Sequence, residues 1–185
     1  MVKHPHVVDT EVATLLDGSE VALRPLNSDD VGAVVNLHQQ LTDREKYMRF
    51  FVSHPKHLAQ FAQRLVECNK RQRALGAFES GQLIGVTSYF VTDESDTAEV
   101  AIAVAHEDHL RGVGTVLLRA LGRTALNDGI RYFVADVLVQ NVGMRRVIAD
   151  AGWRHTTEYN GSVLSIRIDL TAIIDPYMRG SVNAL

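Results

Sequence analysis

Two glycines follow an arginine in the middle of the chain, where residues 111–115 read RGVGT. A strand-like pattern precedes them, and the apolar spacing after them is helical. Unpaired N–H groups at the start of that helix point into one space, which Gly112 and Gly114 leave free of side chains. The pattern predicts an anion site suited to a pyrophosphate, with a positive charge from Arg111 at its rim and a hydroxyl donor from Thr115.

Two other phosphate-binding patterns do not match this segment. It lacks the Gly-Lys-Ser/Thr ending of a P-loop, and it lacks the third glycine of a dinucleotide-binding fingerprint. A simpler alternative is that Gly112 and Gly114 only permit a tight turn between a strand and a helix. The strand before them, Arg111 beside them and a second helix led by Asn141 favour the anion site.

One carboxylate, Glu99, lies on the strand before the glycines. Small and bulky side chains alternate along residues 98–105 (AEVAIAVA), and Glu99 falls on the small face with Ala101 and Ala103. We expect Glu99 to be buried beside these alanines. Its place a few residues before the glycines puts it close to any group that extends from the anion site along the strand.

The composition places these residues in a protein of ordinary globular type. The chain has 185 residues, of which 46% are hydrophobic and 22% charged, and this predicts a single domain, residues 1–185, with its core at about 19–172. A mean hydropathy of -0.02 and the lack of a long apolar run exclude a transmembrane protein. A formal charge of -3 gives no global attraction to nucleic acid. The lone cysteine, Cys68, and a start without a signal pattern predict a reducing cytoplasm.

The elements that position the site follow from the periodicity of the sequence. They are predicted in the order β, α, α, α, β, β, β, α, β, α, β, β, which is an α/β fold with a mixed sheet and helices on its faces. Ser28 and Thr42 are the predicted N-caps of the first two helices, and Pro55 is placed in the first turn of the third. Residues 79–82 and 159–161 are predicted hairpin turns.

Residues 98–153 resemble the cofactor-binding half of the GNAT superfamily of acyl-CoA-dependent N-acyltransferases. The hallmark of this family is Gln/Arg-x-x-Gly-x-Gly/Ala, and residues 109–114 read HLRGVG, with His109 in place of the usual first residue. Residues 139–144 (VQNVGM) and 151–153 (AGW) resemble its second motif, in which the asparagine contacts the pantetheine arm of the cofactor. The resemblance implies a central, mostly antiparallel sheet with one parallel, splayed strand pair and flanking helices.

The cofactor implied by this resemblance is acetyl-CoA, and no metal is expected. A strand N–H near residues 102–104 is predicted to polarise the acyl oxygen. The predicted cofactor-binding residues are Ile102, Ala103, Val104, His109, Leu110, Arg111, Gly112, Val113, Gly114, Thr115, Asn141 and Met144.

A second resemblance concerns the acceptor. Residues 23–26 (LRPL) and 41–51 (LTDREKYMRFF) resemble the catalytic domain of bacterial Pat-type protein lysine acetyltransferases, and residues 98–101 (AEVA) match the same group, in which the glutamate is the general base. A lysine amine arrives protonated, with a pKa of about 10.4, so acyl transfer from a thioester requires a base. Glu99 is therefore the predicted catalytic residue, unless it pairs with an arginine or lysine of a neighbouring strand.

Several alternatives stay open from the sequence. The same parts suit a small-molecule amine N-acetyltransferase, a non-catalytic acyl-CoA sensor, or an interaction domain with no cofactor. Ile148 stands where many GNAT enzymes have a tyrosine that protonates the departing thiolate. Tyr47 and Tyr159 are possible substitutes, although we expect both to be packing residues. His106 and His109 flank the glycines, and a loop role is preferred to metal binding.

Overall fold

Eight β-strands form one mixed sheet in the computed structural model, which describes residues 10–51 and 57–173. The strands are β1 (Glu11–Thr14), β2 (Glu20–Pro25), β3 (Gln72–Glu79), β4 (Gln82–Val91), β5 (Thr97–Val104), β6 (Tyr132–Leu138), β7 (Trp153–Asn160) and β8 (Val163–Ile173). The helices are α1 (Val31–Gln40), α2 (Asp43–Phe50), α3 (Leu58–Val66), α4 (Val113–Asn127) and α5 (Val142–Ala151). Along the sheet the strands follow the order β1-β2-β3-β4-β5-β6-β8-β7.

Strands β5 and β6 form the one parallel pair of this sheet, and the other neighbours are antiparallel. The two strands pair from Thr97 opposite Tyr132 to Glu99 opposite Val134 and then diverge. Helix α4 makes the crossover between them that a parallel pair requires. A mostly antiparallel sheet with one splayed parallel pair and flanking helices confirms the predicted fold class.

Two apolar cores lie against opposite faces of the sheet. The larger core includes Leu121 of α4 and Ile148 of α5, and the smaller one includes Leu65 of α3 together with side chains of α1. Leu83 and Ile84 of β4 belong to different cores, because successive side chains of a strand face opposite sides. Among the residues described, none of the helices has the length and apolar character needed to cross a bilayer.

The N-terminus of α2 is capped as the sequence predicts. The Thr42 hydroxyl accepts the N–H of Glu45 at 3.2 Å, and the Glu45 carboxylate accepts the N–H of Thr42 at 2.7 Å. These two bonds are the reciprocal capping box, which satisfies two helix-end donors at once. The capping box fixes where α2 begins, and so which of its side chains face the sheet.

The helical segment before α1 begins one residue earlier than predicted, in a short 3-10 turn (Ser28–Asp30). Asn27, and not Ser28, is the N-cap: its side chain accepts the N–H of Asp29 at 2.8 Å, and the Asp30 carboxylate accepts the N–H of Asn27 at 2.9 Å. Asp30 also binds both Nη atoms of Arg24, at 2.7 and 2.8 Å. This ion pair with Arg24 of β2 holds the Asp30 carboxylate next to the N–H of Asn27. The contact with β2 therefore favours Asn27 over Ser28 as the N-cap.

The structure confirms one of the two predicted hairpin turns and shifts the other along the chain. Residues 79–82 form the first as expected, with positive φ at Ser80 and Gly81. The second is displaced, because β7 continues through Asn160, which pairs with Val163, and leaves only residues 161–162 in the turn. The pairing of β7 with β8 therefore extends further than the sequence indicates.

Strand β1 is an element that the sequence analysis missed. It pairs with β2 from Glu11 opposite Leu23 to Thr14 opposite Glu20. Its one large apolar residue, Val12, is mostly exposed, so the strand carries no alternation of buried and polar side chains. The position predicted for Pro55 lies outside the described residues, and α3 begins at Leu58.

Candidate active site

A cleft of about 1610 Å³ opens where β5 and β6 diverge. Typical small-molecule sites occupy roughly 300–1,000 Å³, so this one has room for an extended ligand and a second reactant. Of the predicted site residues, its lining includes Glu99, Ile102, Ala103, Val104, His109, Leu110, Gly112, Thr115, Asn141 and Met144. The remaining three, Arg111, Val113 and Gly114, are not part of this lining.

The glycine segment forms the start of α4, as predicted. The carbonyl of Gly112 accepts the N–H groups of Thr115 at 3.0 Å and Val116 at 3.1 Å, so the amides of Val113 and Gly114 precede the helical ladder. Gly112 has a φ of +92°, and a Cβ there would lie 3.1 Å from Leu16. Glycine is required here by backbone conformation and by the N-terminal segment packed against it, and the helix presents free donors at the edge of the cleft.

The residues just before Arg111 shape the rim of the cleft. Leu110 has a positive φ of 67° and is 79% exposed, a conformation that costs about 1–2 kcal/mol for a non-glycine residue. Such strain is concentrated at functional sites. His109 donates from Nε2 to the carbonyl of Val104 at 3.1 Å, which holds this loop against the end of β5.

The guanidinium of Arg111 is enclosed by acidic side chains. Its Nε lies 2.6 Å from the Asp17 carboxylate, and its two Nη atoms contact Glu79, Asp108 and the Ser19 hydroxyl. The sequence predicts a free positive charge at the rim of the anion site, whereas here three carboxylates offset that charge. Arg111 instead ties together the β1–β2 turn, the β3–β4 hairpin and the loop before α4.

Gly114 is a glycine for a reason that the sequence does not reveal. A Cβ at this position would lie 2.8 Å from a methyl group of Val147 on α5. Close approach of α4 and α5 therefore excludes a side chain at Gly114, independently of any phosphate. Glycine is required at position 114 as predicted, but the reason that the structure shows is the packing of α4 against α5.

The backbone of β5 directs alternate peptide groups toward the cleft. The N–H of Ala105 donates to Ile84 of β4 at 2.9 Å, whereas the carbonyl of Val104 points away from β4 and accepts from His109. Alternate residues of a strand share a direction, so the peptide groups of Ile102 and Val104 face the side where β6 has diverged. Ala103 lines the cleft as well, and it belongs to the smaller core.

Asn141 begins α5 and caps it. Its Oδ1 accepts the N–H of Met144 at 3.0 Å, which satisfies one of the unpaired donors at the helix end. Both residues line the cleft opposite β5. The side-chain oxygen of Asn141 is thus used within the protein, and its amide nitrogen is the group left for a ligand.

Glu99 lies at the last position of β5 that pairs with β6, and it lines the cleft. The expectation that alanines bury it is wrong, because the side chain is exposed. Within residues 10–51 and 57–173, no side chain forms a hydrogen bond or ion pair with its carboxylate. The alternative of a structural ion pair with a neighbouring strand is therefore not observed, and the carboxylate is available to a ligand.

The tyrosines considered as proton donors are not in the cleft. Ile148 is buried in the larger core. Tyr47 and Tyr159 are 39% and 72% exposed, so the expectation that they pack in the interior is also wrong. No tyrosine is found among the described residues that line the cleft.

Helix α2 contributes side chains that the sequence analysis did not assign to the site. Arg49 and Met48 line the cleft beside β5. Their signal in the sequence is the run of residues 47–51, whose helical spacing suits either core packing or the lining of a substrate channel. The N-terminal residues Leu15 and Leu16 also line the cleft, and they are brought there by the undetected strand β1.

An acid–base cluster joins α2 to the loop before α4. Nδ1 of His106 lies 2.7 Å from Glu45 Oε1, and Nδ1 of His109 lies 3.5 Å from the same oxygen. The hydrogen bond with Glu45 raises the pKa of His106 above 6.5. Burial would raise the pKa of Glu45, but hydrogen bonds from His106 and Thr42 outweigh it and lower the value. The cluster connects the two halves of the cleft rim.

Comparison with known proteins agrees with this geometry. The model of the acetyltransferase (GNAT) domain matches residues 20–154. The structure is similar to the GNAT domain of S. lividans PAT, with 30% identity and a TM-score of 0.79 over 86% of this chain and 96% of that one. Two more distant structures share the fold. A ribosomal-protein-alanine N-acetyltransferase from Brucella melitensis has 17% identity and a TM-score of 0.63, over 79% of this chain and 96% of that one. A cAMP-binding acyltransferase from Mycobacterium smegmatis has 21% identity and a TM-score of 0.62, over 92% of this chain and 52% of that one.

The splayed strand pair, the glycine-led helix and the matched domain model together establish the kind of protein. The domain model covers most of the sheet and helices α2, α4 and α5, which line the cleft. The chain belongs to the GNAT acetyltransferase family.

Proposed function

We propose that the protein transfers an acetyl group from acetyl-CoA directly to a primary amine, the side chain of a protein lysine, with Glu99 as general base. The observation that carries this proposal is the free carboxylate of Glu99 at the point where β5 and β6 separate. Gly112 and Thr115, on either side of the unpaired amides of α4, line the same cleft, which supports a reacting group and an anion-binding site in one space. We place the reaction in the cytoplasm because the lone Cys68 is a free thiol.

The residues present fit acetyl-CoA. The amides of Val113 and Gly114 at the start of α4 offer donors to a pyrophosphate. The amide nitrogen of Asn141 and the side chain of Met144 lie where an extended pantetheine arm would pass between the diverging strands. When bound, acetyl-CoA supplies an acyl group that is activated as a thioester.

Glu99 would accept a proton from the ammonium group of the acceptor and so create a neutral amine. The amine then forms a C–N bond to the acetyl carbon, and the C–S bond breaks. The N–H of Ile102 or Val104 donates to the acetyl oxygen, where negative charge develops. No tyrosine reaches this part of the described cleft, and a thiolate leaves readily, so we assign to water the transfer of the second N–H proton of the amine to the departing thiolate.

A lysine acceptor is favoured over a free small amine by the resemblance of residues 41–51 and 98–101 to Pat-type enzymes. The structural similarity to the GNAT domain of S. lividans PAT supports the same choice. The lysine side chain is long and narrow, and the cleft at Glu99 is open to solvent. An open approach suits a residue that is attached to a large partner.

The test is mass spectrometry of acetylated lysines on candidate bacterial proteins after incubation with acetyl-CoA, with and without the purified protein. We expect new acetyl-lysine sites that depend on both components, and fewer with Glu99→Gln. CoA release with small amines alone would assign a small-molecule enzyme instead.

Acetyl-CoA should also raise the melting temperature, since a ligand at 100 times its Kd stabilises by about 2.7 kcal/mol. A shift without turnover would indicate a sensor. No shift at saturating acetyl-CoA would leave only an interaction domain.

A further inference from the structure

Arg49 is a cation in the wall of the cleft, and no carboxylate within residues 10–51 and 57–173 is in direct contact with it. Its side chain forms no hydrogen bond or ion pair with any other part of the structure that is described, and its Nε atom is buried without a partner. The guanidinium lies 5.0 Å from the ring centre of Phe50 and 5.6 Å from that of Phe61. These rings stabilise a cation weakly, but they do not accept hydrogen bonds from the N–H groups in the plane of the guanidinium.

The surroundings of Arg49 disfavour an unpaired charge. Burial lowers the pKa of Arg49 to about 10, and the nearby charge of Glu99 acts in the opposite direction. A guanidinium removed from water normally has a carboxylate, a phosphate or carbonyl groups as partners. Part of the side chain still faces the cleft, so the missing partner can arrive from there.

A second unpaired nitrogen lies in the same aromatic cluster. His38 donates from Nδ1 to the carbonyl of Val34 at 2.8 Å, so its Nε2 carries a lone pair, and this atom is buried without a partner. The His38 ring packs against Phe50 at 5.6 Å and Phe61 at 5.2 Å. Burial, with a smaller contribution from the charge of Arg49, lowers the pKa of His38 to about 4. His38 is therefore neutral and supplies no negative charge to Arg49.

The position of Arg49 separates it from the anion site at α4. Its electrostatic partner, Glu99, lies five residues before Val104, which is about 16 Å along a strand. Helix α2 packs against β5, whereas the free amides of α4 follow the far end of that strand. Because the charge of Glu99 acts on Arg49, we assign Arg49 to the acceptor end of the cleft.

We propose that Arg49 binds a carboxylate of the acceptor, so that the preferred acceptors are primary amines with a carboxylate close to the amine. Glu99 would take the ammonium group and Arg49 the carboxylate, and the two charges of the acceptor would meet opposite charges at one end of the cleft. This inference rests on the proposed function of Glu99. The carboxylate has two possible sources, an acidic residue next to a protein lysine or the carboxylate of a free amino acid.

The test compares acceptors that differ only in that carboxylate. One pair is a short peptide with lysine followed by glutamate and the same peptide with glutamine, and the other is free lysine and lysinamide. We expect the wild-type protein to favour the carboxylate in one pair by about tenfold or more in kcat/KM, as for a charged hydrogen bond. The pair that shows the preference identifies the source.

The variant Arg49→Gln should remove this preference, and Arg49→Lys should retain only part of it, because a lysine cannot bind a carboxylate in two places. Arg64→Gln removes a similar charge from α3 outside the cleft and should keep the preference. The rise in melting temperature with acetyl-CoA shows that each variant is folded.

Equal rates on both members of both pairs would overturn the inference and leave the proposed function standing. A preference that survives in Arg49→Gln would also overturn it. If the wild-type protein acetylates none of the four acceptors and no protein lysine, the proposed function fails as well. If Arg49→Gln does not fold, the acceptor preference of the wild type and its reduction in Arg49→Lys still test the inference.

Discussion

At the scale of single residues, Glu99 carries the proposed chemistry. We predict that Glu99→Gln lowers kcat by roughly 10²–10⁴-fold, the usual effect of a general base. Its effect on acetyl-CoA affinity should be small, because Glu99 faces the acceptor end of the cleft. Steady-state rates and calorimetric titration with acetyl-CoA measure the two effects separately. An unchanged kcat would remove Glu99 from the mechanism.

Arg111 is the residue for which structure and sequence lead to different predictions. Its bonds lower the pKa of Glu79, and hydrogen bonds from Ser19, followed by that from Arg111, lower the pKa of Asp17. We predict that Arg111→Gln lowers the melting temperature, since it leaves Asp17, Glu79 and Asp108 to repel one another.

Acetyl-CoA affinity should change little in the same variant, because the charge of Arg111 is already offset. Salt should reduce the difference in melting temperature between Arg111→Gln and the wild type by screening. A large loss of acetyl-CoA affinity with an unchanged melting temperature would show that the guanidinium serves the cofactor after all.

At the scale of elements, the contact between α4 and α5 explains Gly114. We predict that Gly114→Ala destabilises the protein by about 1–3 kcal/mol, the range for an overpacked core, because the new methyl group meets Val147. The double variant Gly114→Ala, Val147→Ala should recover part of that stability. Urea unfolding measures both. If acetyl-CoA affinity stays low in the restored double variant, Gly114 has a separate role at the phosphate.

The start of α5 allows a similar separation for Asn141. Asn141→Ala should cost about 1 kcal/mol of stability, since the N–H of Met144 loses its acceptor. Asn141→Ser keeps an N-cap oxygen but has no amide nitrogen. If Asn141 also contacts the pantetheine arm, the serine variant will be stable and will bind acetyl-CoA more weakly. Equal affinity in the wild type and Asn141→Ser would limit Asn141 to capping.

At the scale of the whole molecule, the Glu45–His106 ion pair joins helix α2 to the loop that leads into α4. The pKa of His106 is raised in the folded protein, so its contribution is complete below about pH 6.5 and is lost as pH rises through the folded value. The pKa of Glu45 is lowered, so its contribution is complete above about pH 4.5 and is lost as pH falls.

The ion pair should therefore stabilise the protein most between about pH 4.5 and 6.5. We predict that the melting temperature of His106→Gln falls furthest below that of the wild type in this window and approaches it as pH rises through the folded pKa of His106. His155→Gln, at an exposed histidine of β7 with no carboxylate partner among the described residues, is the matched control. A difference that is independent of pH would exclude the ion pair as its cause.

The sequence by itself determined the features that depend on neighbouring residues. The turn at Gly112, the capping box at Thr42 and the strand that carries Glu99 are each encoded within a few positions, because backbone conformation and side-chain alternation are local properties. The pattern of these elements was sufficient for the fold class and the family.

Only the tertiary structure decided which charges are free. Arg111 is neutralised by Asp17, which lies 94 residues away in the chain, and no local pattern reports such a partner. Glu99 is exposed where β6 begins to diverge from β5, and Arg49 lies beside two aromatic rings with no hydrogen-bond partner among the described residues. Electrostatic pairing depends on distance in space, so the same residue types act as a structural tie or as a binding group according to where the fold places them.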